Sequence, residues 1–195
     1  MASNIYDVVK REGKFNTNIF SKRIYVLWLL KMYDLLKLYC TILECNNEIG
    51  TMTCSASTEH SSAFSCQKAI DGKSDTDWAT AGKGTGSWIQ LNFGKVYKIE
   101  TIKIKHRSTG SLPEGEMFKD LSLEFSDGKK VDFTLNNVPF TSGLVWNEIV
   151  FANNPVSDYV KITATSVYST INNGFSDIRV YGCAEGTLYI ILYHG

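Results

Sequence analysis

From Thr51 onward, apolar and polar positions alternate in short runs. Ile89, Leu91 and Phe93 are separated by Gln90 and Asn92, and Ile102 and Ile104 by Lys103. Leu121, Leu123 and Phe125 repeat the pattern, as do Val131, Phe133 and Leu135. Val160 with Ile162 and Ile178 with Val180 follow it too. A period of two sends one side chain to a core and the next to water, which is the signature of a half-buried strand. Ser126-Asp127-Gly128 separates two such runs and predicts a hairpin turn. Residues 51–183 contain no amphipathic stretch of helix length. Many short strands without helices predict an all-β fold, an antiparallel jelly-roll sandwich, and fit a mixed α+β domain less well.

The first fifty residues read differently. Lys10, Arg11, Lys14, Lys22 and Arg23 precede the apolar run of residues 24–30, and Lys31, Asp34 and Lys37 then interrupt an apolar stretch that continues to Leu43. On a helix these three make one narrow polar stripe on an apolar rod. The pattern leaves four readings open: a signal or anchor, an interfacial helix, a helix packed on a partner, and a start of translation at Met32. A second apolar run, residues 188–193, follows the strands. The chain is therefore divided into an N-terminal flank at 1–49, a β-rich domain at 50–183 and an apolar tail at 184–195.

Composition narrows the function classes. Twenty Lys and Arg balance twenty Asp and Glu, which argues against a nucleic-acid binder. The five cysteines, Cys40, Cys45, Cys54, Cys66 and Cys183, form no CxxC pair, and His60, His106 and His194 lie far apart, so no zinc site is expected. There is no GxSxG, no HExxH and no phosphate loop; residues 82–86 lack its spacing. A non-catalytic protein is expected.

Three segments go beyond fold class. They are residues 69–78 (Ala-Ile-Asp-Gly-Lys-Ser-Asp-Thr-Asp-Trp), residues 87–95 (Ser-Trp-Ile-Gln-Leu-Asn-Phe-Gly-Lys) and residues 172–183, which end in Tyr181-Gly182-Cys183. In this order and spacing they resemble the discoidin family, also called the coagulation factor V/VIII C-type domain, over roughly residues 50 to 183. The resemblance implies a galactose-binding-like sandwich with ligand loops at one end. It implies a lectin-like module for glycans or cell-surface and matrix glycoproteins, with an extracellular location. The alternatives are an adhesion module for a protein partner and a phospholipid-binding module.

Site residues follow from the same resemblance. Asp71, Ser74 and Thr76, with Ala69, would hold a structural Ca2+ in an oxygen-rich turn at Gly72, with a second carboxylate from Asp177. Against this stands a plain turn in which Asp71 and Ser74 cap backbone amides. Arg107 and His106 fall where the family's galactose binders use a ligand loop, and Tyr168, Asn172 and Asn173 come from another loop at that end. The histidine those binders carry after the threonine-x-tryptophan is here Ala79, so His60 or His106 would have to take its role. The competing reading for Arg107 is a surface ion pair with Glu114 or Glu116. A lipid-binding mode would rest on Phe64, Leu112, Met117 and Phe118. The resemblance implies a disulfide between Cys54 and Cys183 first, Cys45 with Cys183 second; Cys66 with Cys54 is the remaining pairing.

Overall fold

The computed structural model describes residues 27–32, 47–107, 116–136, 145–168 and 172–186. The chain separates into a unit at Cys45–Thr187 and a second unit made of Met1–Glu44 and Leu188–Gly195. In the second unit, residues 27–32 are helical, and Leu27, Trp28, Leu29 and Leu30 on them are exposed. The other expectations for the flank before Asn47, and the run at 188–193, lie outside the described residues. Among the described residues no helix is long and apolar enough to cross a membrane.

The larger unit is an antiparallel β-sandwich of eight strands: β1 (Thr53–Ala56), β2 (Trp78–Ala79), β3 (Trp88–His106), β4 (Asp120–Phe125), β5 (Lys130–Thr134), β6 (Asn147–Val150), β7 (Val156–Ala164) and β8 (Gly174–Ala184). The 19-residue β3 serves both layers. Its first half pairs with β1 and β7, and β4 and β5 extend that layer. Its second half pairs with β6 and β8, and β8 carries β2. The chain changes layer where the β3–β7 register slips between Asn92 and Tyr97. Gly94 stands there at φ 74, a conformation that costs a side-chain-bearing residue energy.

The phase of alternation changes along β3, and the reason is visible. Ile89, Leu91, Phe93 and Ile99 point inward on odd positions; Ile102, Ile104 and His106 do so on even ones, all at 4% exposure or less. A bulge between Ile99 and Thr101 in the pairing with β8 supplies the one-residue shift. These side chains join Leu121, Leu123, Phe125, Val160, Ile162, Phe175, Ile178 and Val180 in one core. Each such side chain contributes about 1.5–3 kcal/mol by leaving water. The hairpin at Ser126-Asp127-Gly128 forms as expected, with Gly128 at φ 82 and its N–H donating to the Phe125 carbonyl. The folded unit reaches back before Gly50: Ile49 is buried and its N–H donates to the Val180 carbonyl.

The expected disulfide pairing needs correction. Cys54 is bonded to Cys66, with 6.0 Å between Cα atoms, and not to Cys183. The registers explain it. Cys54 lies opposite Leu91 on β3 and Cys183 opposite Lys98, seven positions further along β3 and past the bend. At ~3.3 Å per residue that separation far exceeds the ~7 Å a disulfide can bridge. Cys183 is itself disulfide-bonded, to a partner outside the described residues. The Cys54–Cys66 bond ties β1 to the short 3-10 turn Cys66–Ala69.

Candidate functional site at the loop end

Three chain segments meet at one end of the sandwich: the loop before the first 3-10 turn, the chain around β2, and the approach to β8. Their meeting is enforced from below by an aromatic cluster. Trp78 is buried and packs its ring on Phe118 and Phe175, with centroids 5.9 and 5.7 Å away, while Phe118 and Phe175 lie 5.0 Å apart. Trp78 Nε1 donates to the Thr58 carbonyl at 3.1 Å. β2 crosses β8 so closely that a Cβ on Gly174 would lie 1.8 Å from the Trp78 carbonyl oxygen. Only glycine fits.

Arg107, the first residue after β3, is the hub of the site. Its side chain is 5% exposed. Nε donates to Asp77 Oδ2 at 3.3 Å, and Nη1 donates to Glu116 Oε2 at 2.5 Å and to the Asn172 carbonyl at 2.8 Å. Its guanidinium carbon stands 5.3 Å from the Phe64 ring centroid. Asp77 is buried and Glu116 is nearly so. Two carboxylates thus share one guanidinium, a charge arrangement that is stable only while all members are present. Pairing with Glu116 was one of the two sequence expectations; the burial was not.

Around this hub lie groups with unused chemistry. His60 is exposed and sets its ring edge-on to Phe64, 5.6 Å between centroids. Its backbone N–H donates to the Ala79 carbonyl at 2.8 Å. Ala79 is buried in β2 and carries no ring, and the backbone hydrogen bond sets His60 beside it. Asn172 adopts φ 52, a left-handed conformation that asparagine tolerates. Its Oδ1 accepts from the Gly82 N–H at 2.9 Å. The Asn172 amide nitrogen and the His60 ring nitrogens have no hydrogen bond among the described residues.

The structure brings His60, Arg107 and Asn172 together, and leaves other expected residues elsewhere. His106 faces the core and is buried, because the β3 bulge put it on the inward phase. Its Nε2 donates to the Asn136 carbonyl at 2.9 Å, while Nδ1 has no hydrogen bond among the described residues. Burial lowers its pKa below 6.5, only partly offset by that hydrogen bond. Tyr168 is turned to structure: its hydroxyl donates to the Leu135 carbonyl at 2.8 Å. Asn173 is buried, and its carbonyl accepts from the Thr80 N–H. Phe64, expected on a lipid-facing tip, and Asp77, which no sequence motif singles out, both belong to this cluster through Arg107. The burial of Asp77 next to Trp78 has no signature that a linear pattern carries. Met117 and Phe118, expected on a lipid-facing loop, are buried in the core; Leu112 lies outside the described residues.

The acidic turn is built as follows. Asp71 accepts from Thr76 Oγ1 at 2.9 and 3.0 Å and from the Lys73 N–H at 3.0 Å, and Lys68 Nζ is 3.8 Å away. Thr76 Oγ1 is also 3.4 Å from the Lys68 carbonyl. Ala69 is buried and Ser74 exposed. Asp177 does not join this cluster through its carboxylate, which accepts from Arg179 Nε and Nη2 at 3.3 and 3.2 Å. Burial raises the Asp177 pKa and Arg179 counteracts it. Among the described residues no group of three His, Cys, Asp or Glu side chains is placed to hold a metal.

Comparison with known proteins fixes the class. A family model for the F5/8 type C domain matches residues 52–179, and the chain belongs to that family. Its fold is shared with the family 32 carbohydrate-binding module of Clostridium perfringens NanJ, solved in complex with galactose (TM-score 0.56, 21% identity, 67% of this chain and 93% of that one). It is shared with CpGH89CBM32-5 of the same organism, solved with GalNAc-β-1,3-galactose (TM-score 0.57, 20% identity, 69% and 99% covered). An F5/8 type C domain from Bacteroides fragilis gives a TM-score of 0.58 at 14% identity, covering 72% and 99%. No relative among curated proteins matches the sequence.

Proposed function

We propose that this chain is a non-catalytic, lectin-like module that binds glycans through the loop end of the sandwich. The observation that carries the reading is the juxtaposition of an exposed imidazole, an aromatic ring and an unused amide donor around a fixed Arg107 cluster. A sugar offers hydroxyls in fixed directions and an apolar ring face; His60, Asn172 and Phe64 supply the matching donors, acceptors and π surface. Arg107 acts beneath them, holding Phe64 and the Asn172 backbone in place. Support also comes from relatives of the same fold whose structures hold galactose and GalNAc-β-1,3-galactose. An oxidising, extracellular location is consistent with the Cys54–Cys66 bond.

The test is a broad glycan array with the full chain, followed by titration of the strongest ligand. Binding weakened at least tenfold in both His60→Ala and Asn172→Ala, with the fold intact by circular dichroism, is the expected result. A folded protein that binds no glycan, or binds equally well in both variants, overturns the reading. Calcium at the acidic turn is a separate proposal. Asp71 and the Thr76 hydroxyl, with backbone carbonyls of Ala69 and Ser74, are hard oxygen donors of the right kind.

A further inference from the structure

The smaller unit exposes a run of large apolar side chains. Residues 27–32 are helical, and Leu27, Trp28, Leu29 and Leu30 are 64, 51, 45 and 55% exposed. At about 3.6 residues per turn, four consecutive residues point to every side of a helix, so all sides of this turn meet solvent. Contiguous apolar exposure of this kind marks an interaction surface. In sequence the apolar stretch runs from Ile24 to Leu43, broken by charge only at Lys31, Asp34 and Lys37. The same unit includes the apolar run at 188–193.

The zero net charge of the whole chain conceals an uneven division. Residues 1–44 and 188–195 carry seven Lys and Arg against four Asp and Glu, and residues 45–187 carry thirteen against sixteen. Lys22 and Arg23 precede the exposed turn, Lys31 and Lys37 follow it, and Asp34 is the one acid between positions 22 and 37. This charge decides what can cover the turn. The smaller unit of a second copy brings the same positive charge and is repelled. The larger unit of a second copy is negative, but its exposed large apolar groups are only Val96, Val145 and Val150 among the described residues. An anionic lipid bilayer supplies both hydrocarbon and negative charge.

We infer that the segment around Leu27–Leu30 is a membrane-surface anchor that lies in the headgroup boundary of an anionic bilayer. The leucines enter the acyl region, Trp28 settles at the boundary that indoles favour, and Lys31 and Lys37 extend their ammonium groups to lipid phosphates. Charges every three residues interrupt the stretch, which suits a segment lying in the interface and not one crossing it. The anchor falls outside the residues 52–179 matched by the family model and shares no residue with the loop end, so it does not rest on the glycan reading. It also differs from a lipid mode at the loop tips, whose Met117 and Phe118 are buried.

Flotation of the full chain with phosphatidylcholine vesicles, with and without phosphatidylserine, tests it. Binding should be at least tenfold tighter with phosphatidylserine present and should weaken as salt is raised. Leu27→Ser combined with Leu30→Ser, both at exposed positions, should weaken it at least tenfold while the thermal melt of the β-sandwich stays unchanged. Lipids brominated in the acyl chain should quench the tryptophan fluorescence of wild type, and most of that quenching should be lost in Trp28→Phe, which keeps an apolar ring. No flotation of folded protein, flotation untouched by the leucine variant, or quenching that survives Trp28→Phe overturns the inference. So does a dimer that the leucine variant abolishes in protein that ignores vesicles, or secretion from eukaryotic cells of a product whose intact mass lacks Leu27–Leu30.

Discussion

Replacing Arg107 by methionine removes a cation that four residues use at once, Asp77, Glu116, Asn172 and Phe64, and the size of the effect can be worked from the geometry. Asp77 is fully buried and keeps its carboxylate with no guanidinium at 3.3 Å; Glu116, 12% exposed, loses its 2.5 Å partner. Breaking a buried pair from one side costs roughly 3–5 kcal/mol. The Asn172 carbonyl loses a donor, worth about 1 kcal/mol, and Phe64 loses a cation–π contact of ~0.5–1 kcal/mol. The contributions overlap, so a total of about 4–5 kcal/mol is expected, a large part of the ~5–15 kcal/mol of an ordinary domain. Urea unfolding of wild type, Arg107→Met, Asp77→Asn and the double variant measures it. The double variant should be more stable than the sum of the single losses predicts, by about 2–3 kcal/mol, because the Arg107–Asp77 interaction is then lost only once. A loss under 1 kcal/mol in Arg107→Met, or strict additivity, refutes the buried cluster.

Other expectations follow from single contacts. Gly174→Ala places a methyl 1.8 Å from the Trp78 carbonyl and should destabilise by about 3 kcal/mol or more through forced backbone separation; a thermal melt within 2 °C of wild type contradicts this. His106 has a pKa lowered by burial, so the unfolded chain binds the extra proton first. Stability is then complete above pH 6.5 and falls as the pH drops from there toward the lowered folded value. Urea midpoints across pH 5–7.5 should show that slope in wild type and lose it in His106→Gln. Calcium, if held at the acidic turn, should raise the melting temperature relative to chelator, and Asp71→Ala should remove the rise; equal melting in calcium and chelator rejects the site.

The strands were legible because a half-buried sheet writes its period into the chain: Leu121, Leu123 and Phe125 alternate in sequence as they do in burial. The β3 bulge at Ile99–Thr101 was not legible. A single inserted residue changes which face follows, so His106 passed for a loop ligand although it is a core residue. The disulfide was misassigned for a related reason: both Cys54 and Cys183 lie near the domain's ends in sequence, but their positions depend on where β3 bends between layers. His60 and Asn172 were expected at this end by residue type and loop position, and the fold places them there. The roles of Phe64 and Asp77 were not legible, because they come from contacts with Arg107 across 43 and 30 residues of chain, which no local pattern encodes.

The account's central claim is that glycans bind at the loop end. Backbone amide NMR shifts, followed during titration with galactose and with GalNAc-β-1,3-galactose, test it most directly. The account predicts saturable shifts concentrated on residues 58–64, 79–84 and 172–174, with the Trp88 indole unaffected. Saturable shifts that fall elsewhere and spare His60 and Asn172 would contradict it.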